Sequence, residues 1–114
     1  MSDETNQQFN KALHLLDAGE PARAEETLRA VIAAAESEAD PEAEVRGRVV
    51  LADLLVEAGR GEEAAPLLKQ ALATAVEDDL VDVERARASE LLARLAGVTP
   101  TTETGSGAGG AGSW

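Results

Sequence analysis

Few side chains in this sequence have a type and spacing that could support chemistry. His14 is the only histidine and cysteine is absent, so neither a zinc ligand set nor a cysteine nucleophile can be assembled. The acidic run from Glu77 to Asp82 lacks the alternating ligand spacing and central glycine of a calcium loop. The glycine-rich segment Gly105–Gly112 has no lysine and no predicted helix after it, unlike a phosphate-binding loop. We therefore predict that the protein is not an enzyme, with no catalytic, cofactor-binding or metal-binding residues.

Net charge narrows the range of partners. The 114 residues include 22 acidic and 10 basic side chains, which gives a net charge of −12. Phosphate backbones and anionic lipid surfaces repel such a chain, so we expect no nucleic-acid or membrane partner. The apolar runs, such as Val49–Ala52, are far shorter than the ~20 residues of a membrane span, and the first residues lack the features of a secretion signal. We expect a soluble cytoplasmic protein.

A duplicated segment provides the scaffold. Leu15–Ala35 recurs as Leu55–Ala75, and Gly19 in the first copy matches Gly59 in the second. The other matched pairs are Ala24 with Ala64, Leu28 with Leu68, Ile32 with Leu72, and Ala35 with Ala75. A fixed period in the range of about 20 to 50 residues is typical of repeat architectures, in which each copy is one supersecondary unit. Here each copy has the pattern of a helix end, a glycine turn and a second helix.

Composition and periodicity predict an all-α fold of five antiparallel helices. Only 2% of the residues are aromatic, so aliphatic residues and alanine, the strongest helix former, must build the core. The predicted helices begin near Asp3, Pro21, Pro41, Glu62 and Leu80. A capping box is predicted at Thr5–Gln8 and an N-cap at Asp40. Glycine stops are predicted at Gly19, Gly59 and Gly97.

The apolar faces of these helices predict their places in the fold. Helix three, about Pro41–Ala58, is apolar on more than one face, so it should be the central buried element. The stripe of helix four is predicted to continue to Ala75. In helix five the predicted inward residues are Val83, Ala86, Leu91, Leu92 and Leu95. Residues 3–97 should form one helical domain, and the Gly/Ser-rich tail, residues 98–114, should be disordered because it cannot bury enough apolar surface.

The repeated positions resemble those of the tetratricopeptide repeat family. In that family a turn glycine is followed, in the second helix, by a small residue, then by a large residue and then by an apolar pair. This pattern is present here as Gly19, Ala24, Leu28 and Val31–Ile32, and the second copy repeats it. The chain is similar to the extended type of about 40 residues. The resemblance implies two helical hairpins plus a capping helix in a right-handed superhelical stack. A bundle with a simple duplicated hairpin would share much of this pattern.

The resemblance also implies a function, which is to hold a peptide or a helix on the concave face of helices one, three and five. The implied partner-binding residues are Asn6, Phe9, Leu13, Asp17, Arg46, Val49, Asp53, Glu57, Arg87 and Leu91, with Glu84 as a further candidate. Such a surface, with an apolar floor and charged edges, suits an amphipathic helix or a short extended peptide. A protein–protein adaptor or scaffold is therefore the main prediction.

Three other uses of the chain stay open. The flexible tail ending in Trp114 could be the ligand or modification substrate of a partner enzyme, which would make the protein a carrier or precursor. The apolar surfaces of helices one and five could instead support a homodimer. The chain could also be a structural module of a longer helical array.

Overall fold

The computed structural model of the chain describes residues 2–77 and 80–97, and these residues are all-α with no strand. The predicted all-α class and the number of helices are confirmed. The helices are α1 (Asp3–Asp17), α2 (Pro21–Ser37), α3 (Pro41–Glu57), α4 (Gly61–Ala73) and α5 (Asp82–Leu95). The predicted tail, residues 98–114, lies outside the described residues. Within the described ranges, no helix combines the length and the apolar character needed to cross a membrane.

Glycine turns end the first helix of each repeat. After α1, the N–H of Glu20 donates to the carbonyl of Leu15 over 2.9 Å and the N–H of Gly19 donates to Leu16 over 3.1 Å. These are the two hydrogen bonds of a Schellman motif. The glycines with positive φ are Gly19 (+75°), Gly59 (+77°) and Gly97 (+79°). Because glycine has no Cβ, it adopts this left-handed conformation without a steric penalty, and the predicted glycine stops are confirmed.

The turn after α2 has the same hydrogen bonds but no glycine. The N–H of Ala39 donates to Glu36 and the N–H of Asp40 donates to Ala35, yet φ of Ala39 is +53°. An L-residue with a Cβ is thus held in the left-handed region. Asp40 then serves as the N-cap of α3, where its carboxylate accepts a hydrogen bond from the N–H of Ala43, as predicted.

The N-terminus of α1 differs from the sequence-based expectation. Ser2 is the N-cap, and its hydroxyl accepts a hydrogen bond from the N–H of Thr5 over 3.1 Å. Thr5 is buried, and its own hydroxyl donates to the carboxylate of Glu38 at the end of α2. The predicted capping box at Thr5–Gln8 is therefore wrong, because Thr5 lies inside the helix and joins α1 to α2.

α3 is the central helix, as its distribution of apolar residues predicted. It packs against α2, α4 and α5, while α1 packs against α2 and α4 against α5. Its fully buried residues include Val45, Leu51, Ala52 and Leu55. The main core adds alanine, leucine, isoleucine and valine side chains from the other helices and from Val81, which caps α5. Alanines at these contacts allow the helix axes to approach closely.

α4 ends one turn earlier than α2, which breaks the 40-residue period. The hydroxyl of Thr74 donates to the carbonyl of Gln70 over 2.7 Å, which is the acceptor that the next helical N–H would use. The guanidinium of Arg85 in α5 donates to the terminal carbonyls of Leu72 and Thr74, so the helix end keeps its hydrogen bonds. The prediction that the stripe of α4 continues to Ala75 is wrong, since Ala75 is exposed and outside the helix.

The shortened α4 also changes which residues of α5 face inward. Each first helix buries an alanine and, three positions later, a leucine; the pairs are Ala12 and Leu15, Ala52 and Leu55, and Ala88 and Leu91. Leu91 is buried as predicted, and Leu92 is half-buried. Val83 and Ala86 are exposed, so their predicted inward placement is wrong. Leu95 is 38% exposed at the end of the helix.

An ion-pair network joins α2 to the turn between α3 and α4. The guanidinium of Arg60 donates to Glu25 over 2.7 Å and to Glu63 over 2.8 Å. Hydrogen bonds from Arg60 hold the pKa of both carboxyl groups below their usual range. Glu25 also accepts a hydrogen bond from Arg29 on the same helix. The network fixes the second repeat against the first outside the apolar core.

Candidate functional site

A groove of about 360 Å³ lies between α1, α3 and α5. We call it the central groove and define it by its lining residues, which are Leu16, Val49, Val50, Asp53, Leu54, Glu57, Val83, Glu84 and Arg87. α3 supplies five of these nine residues. The size falls within the range of small ligand pockets, about 300–1,000 Å³, and the groove is open to solvent along one side of α3.

The floor of the central groove is apolar because α3 has more apolar residues than its neighbours cover. Val49 is buried, while Val50 and Leu54, four residues apart and on one face, are only half-buried. On the opposite wall, Val83 of α5 is 79% exposed. Leu16 of α1 completes the floor. A partner that covers these side chains would remove their apolar surface from water, which is favourable.

One arginine of the groove is paired with two carboxylates. The guanidinium of Arg87 donates two hydrogen bonds to Asp53, over 3.0 Å from Nε and 2.9 Å from Nη2, and a third to Glu90 over 2.8 Å. The bond to Asp53 is the main cause of the raised pKa of Arg87, and the bond from Arg87 lowers the pKa of Glu90. This planar, bidentate pair links α3 to α5 across the groove.

A second arginine closes one edge of the groove. Arg46 of α3 lies 2.6 Å from the carboxylate of Glu42 and 3.6 Å from that of Glu84 on α5. It also donates a hydrogen bond to the carbonyl of Leu80. Arg46 and Arg87 are thus already paired with carboxylates of the chain itself, so neither presents an unpaired charge to an incoming carboxylate.

The structure brings four of the predicted partner-binding residues together in the central groove, namely Val49, Asp53, Glu57 and Arg87. Glu84 lines it too, and Arg46 lies beside it through its ion pair with Glu84.

The other predicted residues lie elsewhere. Leu13 and Asp17 line a separate depression of about 220 Å³ with Asn10 and His14 on α1. Asn6 is exposed, and Phe9 is half-buried against the core. Leu91 is fully buried, so its side chain presents no surface to a partner. Trp114 lies outside the described residues.

Four groove residues were not predicted from the sequence: Leu16, Val50, Leu54 and Val83. A signal for two of them exists. Val50 and Leu54 match Asn10 and His14 at the 40-residue spacing, so these positions are polar in the first copy and apolar in the second. The difference coincides with the packing of α5 on α3, which leaves Val50 and Leu54 half-buried beside the groove.

In the described part of the chain, the potential metal ligands do not cluster, and the histidine lies outside the central groove. No group of three or more His, Cys, Asp or Glu side chains within residues 2–77 and 80–97 is placed to hold a metal ion. His14 lies in the depression on α1, away from the lining of the central groove.

Comparisons of the chain with protein-family models, with curated proteins and with solved structures find no match. The central groove is therefore the strongest candidate site by its geometry alone.

Proposed function

We propose that the protein is a non-catalytic adaptor of the cytoplasm that binds a segment of another protein in the central groove. The observation that carries this proposal is the uncovered apolar floor, above all Val83, beside half-buried Val50 and Leu54. A monomer gains nothing by exposing such side chains next to one another, and apolar surface with a charged rim is typical of interaction sites.

We also propose that the scaffold is a tetratricopeptide-like stack. Three features support this proposal: the repeated alanine–leucine pair of the first helices, the matched glycine turns, and the order of helix contacts along the chain. In such a stack the first helices of successive repeats lie on one side and form the binding surface. The central groove lies between these first helices, which is where the proposed function places the partner.

The proposal can be tested with a peptide library in place of a known partner. A displayed library of random peptides is selected on the wild-type protein, and the enriched peptides are measured against two variants, Val83→Glu and Ala86→Glu. Both positions are exposed on α5, so neither change should lower helicity or thermal stability. Only Val83 lines the groove, which makes Ala86→Glu a control with the same added charge.

We expect enriched peptides to lose at least about tenfold in affinity with Val83→Glu, because a docked peptide would lose the apolar contact of Val83 and would place its apolar side chains against a carboxylate. Their affinity for Ala86→Glu should stay within about twofold of wild type. In backbone NMR spectra, the bound peptides should shift the resonances of Val50 and Leu54. Absence of enrichment, or peptides that bind both variants equally, would contradict the proposal.

A further inference from the structure

The floor of the central groove offers no hydrogen-bond donor to the main chain of a partner. Its side chains, Leu16, Val49, Val50 and Leu54, are hydrocarbons, and the backbone beneath them lies inside α1 and α3, where N–H groups are bonded to carbonyls of the same helix. The donors beside the groove lie on its walls. Arg87 uses three of its five N–H groups on Asp53 and Glu90, and the N–H groups of Val83 and Glu84 belong to the first turn of α5, which has no side-chain cap. Among the described residues, no Asn, Gln, Ser, Thr or Tyr side chain lines the groove.

This lack of donors decides the conformation of the occupant. An extended peptide on this floor would place its carbonyl groups against apolar side chains, and each buried group without a partner costs about 1–3 kcal/mol. A helix satisfies its own backbone groups and presents only side chains. The central groove therefore suits a helix better than an extended strand.

The charges of the groove decide the polar side of that helix. Asp53, Glu57 and Glu84 line the groove, where Arg87 pairs with Asp53, and Arg46 at the edge pairs with Glu84. Glu57 is exposed and makes no ion pair within the described part of the chain. The chain as a whole has a net charge of −12, so the field around the groove attracts cations and repels anions. A second copy of this chain would bring the same negative charge and is disfavoured as the occupant.

We propose that the central groove binds a cationic amphipathic helix from another protein. The groove follows α3 from Val49 to Glu57, a distance of about 12 Å at 1.5 Å per residue. This length matches an apolar stripe of about two turns, with residues at i, i+3, i+4 and i+7 on the floor and Lys or Arg at the edges. The inference rests on the proposed function, since it names the partner of the same groove.

Three synthetic peptides of about fourteen residues test the inference. The first has leucines at i, i+3, i+4 and i+7 with lysines on both flanks, and the second replaces every lysine with glutamate. The third has the composition of the first but a scrambled order that destroys the stripe. Each is labelled with a fluorophore, and its dissociation constant is measured by anisotropy at low salt and at about 0.3 M NaCl, where exposed charges are strongly screened.

We expect the lysine peptide to bind at least about tenfold more tightly than both others and to weaken at high salt. The variant Glu57→Lys should reduce its affinity at least about fivefold. Glu62→Lys adds the same charge on the exposed surface of α4 and should have less than a twofold effect. Circular dichroism of the lysine peptide should show increased helicity in the complex.

The outcomes separate this inference from the proposed function. Equal binding of the lysine and glutamate peptides, with loss in Val83→Glu, would overturn the charge preference and leave the groove as a binding site. Equal binding of the scrambled peptide would overturn the helical conformation. If no stripe peptide binds while library peptides still lose affinity with Val83→Glu, the inference fails and the proposed function stands. If the library peptides are also insensitive to Val83→Glu, both fail.

Discussion

Replacing Ala39 with glycine should stabilise the protein, although it removes a methyl group and adds freedom to the unfolded chain. Ala39 has φ of +53°, in the left-handed region, where an L-residue with a Cβ costs roughly 1–2 kcal/mol. Glycine removes this cost but loses about 0.4–1 kcal/mol through the entropy of the unfolded state. Because the side chain of Ala39 is exposed, little packing is lost. The expected net gain is about 0.5–1 kcal/mol in the free energy of unfolding.

The matched turns supply the reverse experiment. A Cβ added at Gly19 or Gly59 would meet no atom within 4 Å, so Gly19→Ala and Gly59→Ala test the backbone conformation without a steric clash. Each should lose about 0.5–1 kcal/mol by the same reasoning. Ala30→Gly is a further control, because Ala30 is exposed within α2; there glycine should destabilise by about 0.5–1 kcal/mol.

Urea unfolding followed by circular dichroism measures all four variants, with an unchanged m-value as the sign that only stability has changed. In a thermal unfolding experiment, a gain of 1 kcal/mol corresponds to an increase of about 4–8 °C in the midpoint temperature for a domain of this size. The reasoning fails if Ala39→Gly destabilises the protein to the same extent as Ala30→Gly. It also fails if the two glycine-to-alanine changes leave the midpoint unaltered.

Two further predictions concern α4 and the ion-pair network. Pro66 is exposed inside α4, where it removes a backbone hydrogen bond. Pro66→Ala should therefore increase the free energy of unfolding in urea by about 1–3 kcal/mol. The control Pro41→Ala should not increase it, because Pro41 lies in the first turn of α3, where proline is tolerated. Arg60 lowers the pKa of Glu25 and Glu63, so its contribution is present above their unfolded pKa and is lost as the pH falls through the folded values. The stability difference between wild type and Arg60→Gln should therefore be largest near about pH 7 and shrink towards about pH 3, and a constant difference would contradict this assignment.

The regular part of the fold could be predicted because it depends on local sequence. Gly19 and Gly59 fix their turns through backbone conformation, and the spacing of Ala24 and Leu28 fixes the buried face of α2. These effects act within one turn of a helix, so the sequence shows them directly. The place of α3 at the centre follows from the same information, since a helix with several apolar faces needs several neighbours.

The register of α5 could not be predicted because it depends on contacts between helices. The repeated alanine–leucine pair is 40 residues apart from Ala12 to Ala52 but 36 from Ala52 to Ala88. Where that turn is lost, at the end of α4, Thr74 and Arg85 donate hydrogen bonds to the terminal carbonyls. No periodicity in the sequence predicts those bonds. The resemblance implied Leu91 as a partner-binding residue, whereas the structure buries it in the core.

The candidate site was predicted in outline but not in its chemistry. The sequence placed Asp53 and Arg87 on facing helices, yet their bidentate pair depends on the separation of α3 and α5 in the folded chain. That pair changes the charge of the partner that the groove favours. An unpaired Arg87 would favour a carboxylate partner, whereas the paired Arg87 leaves Glu57 as the exposed charge and favours a cationic one.

Two matched faces of the repeat differ in polarity. Asn10 and His14 on α1 are exposed and polar, as expected for the solvent side of a helix. Val50 and Leu54 occupy the matched positions on α3 and are apolar. α5 covers them only partly, because Val83 and Glu84 leave the groove open between the two helices. Part of this difference follows from the fold, because α3 packs against α5 and Val50 and Leu54 contact the core, whereas α1 packs mainly against α2. The apolar surface that α5 leaves uncovered, above all Val83, is what the proposed partner would bury.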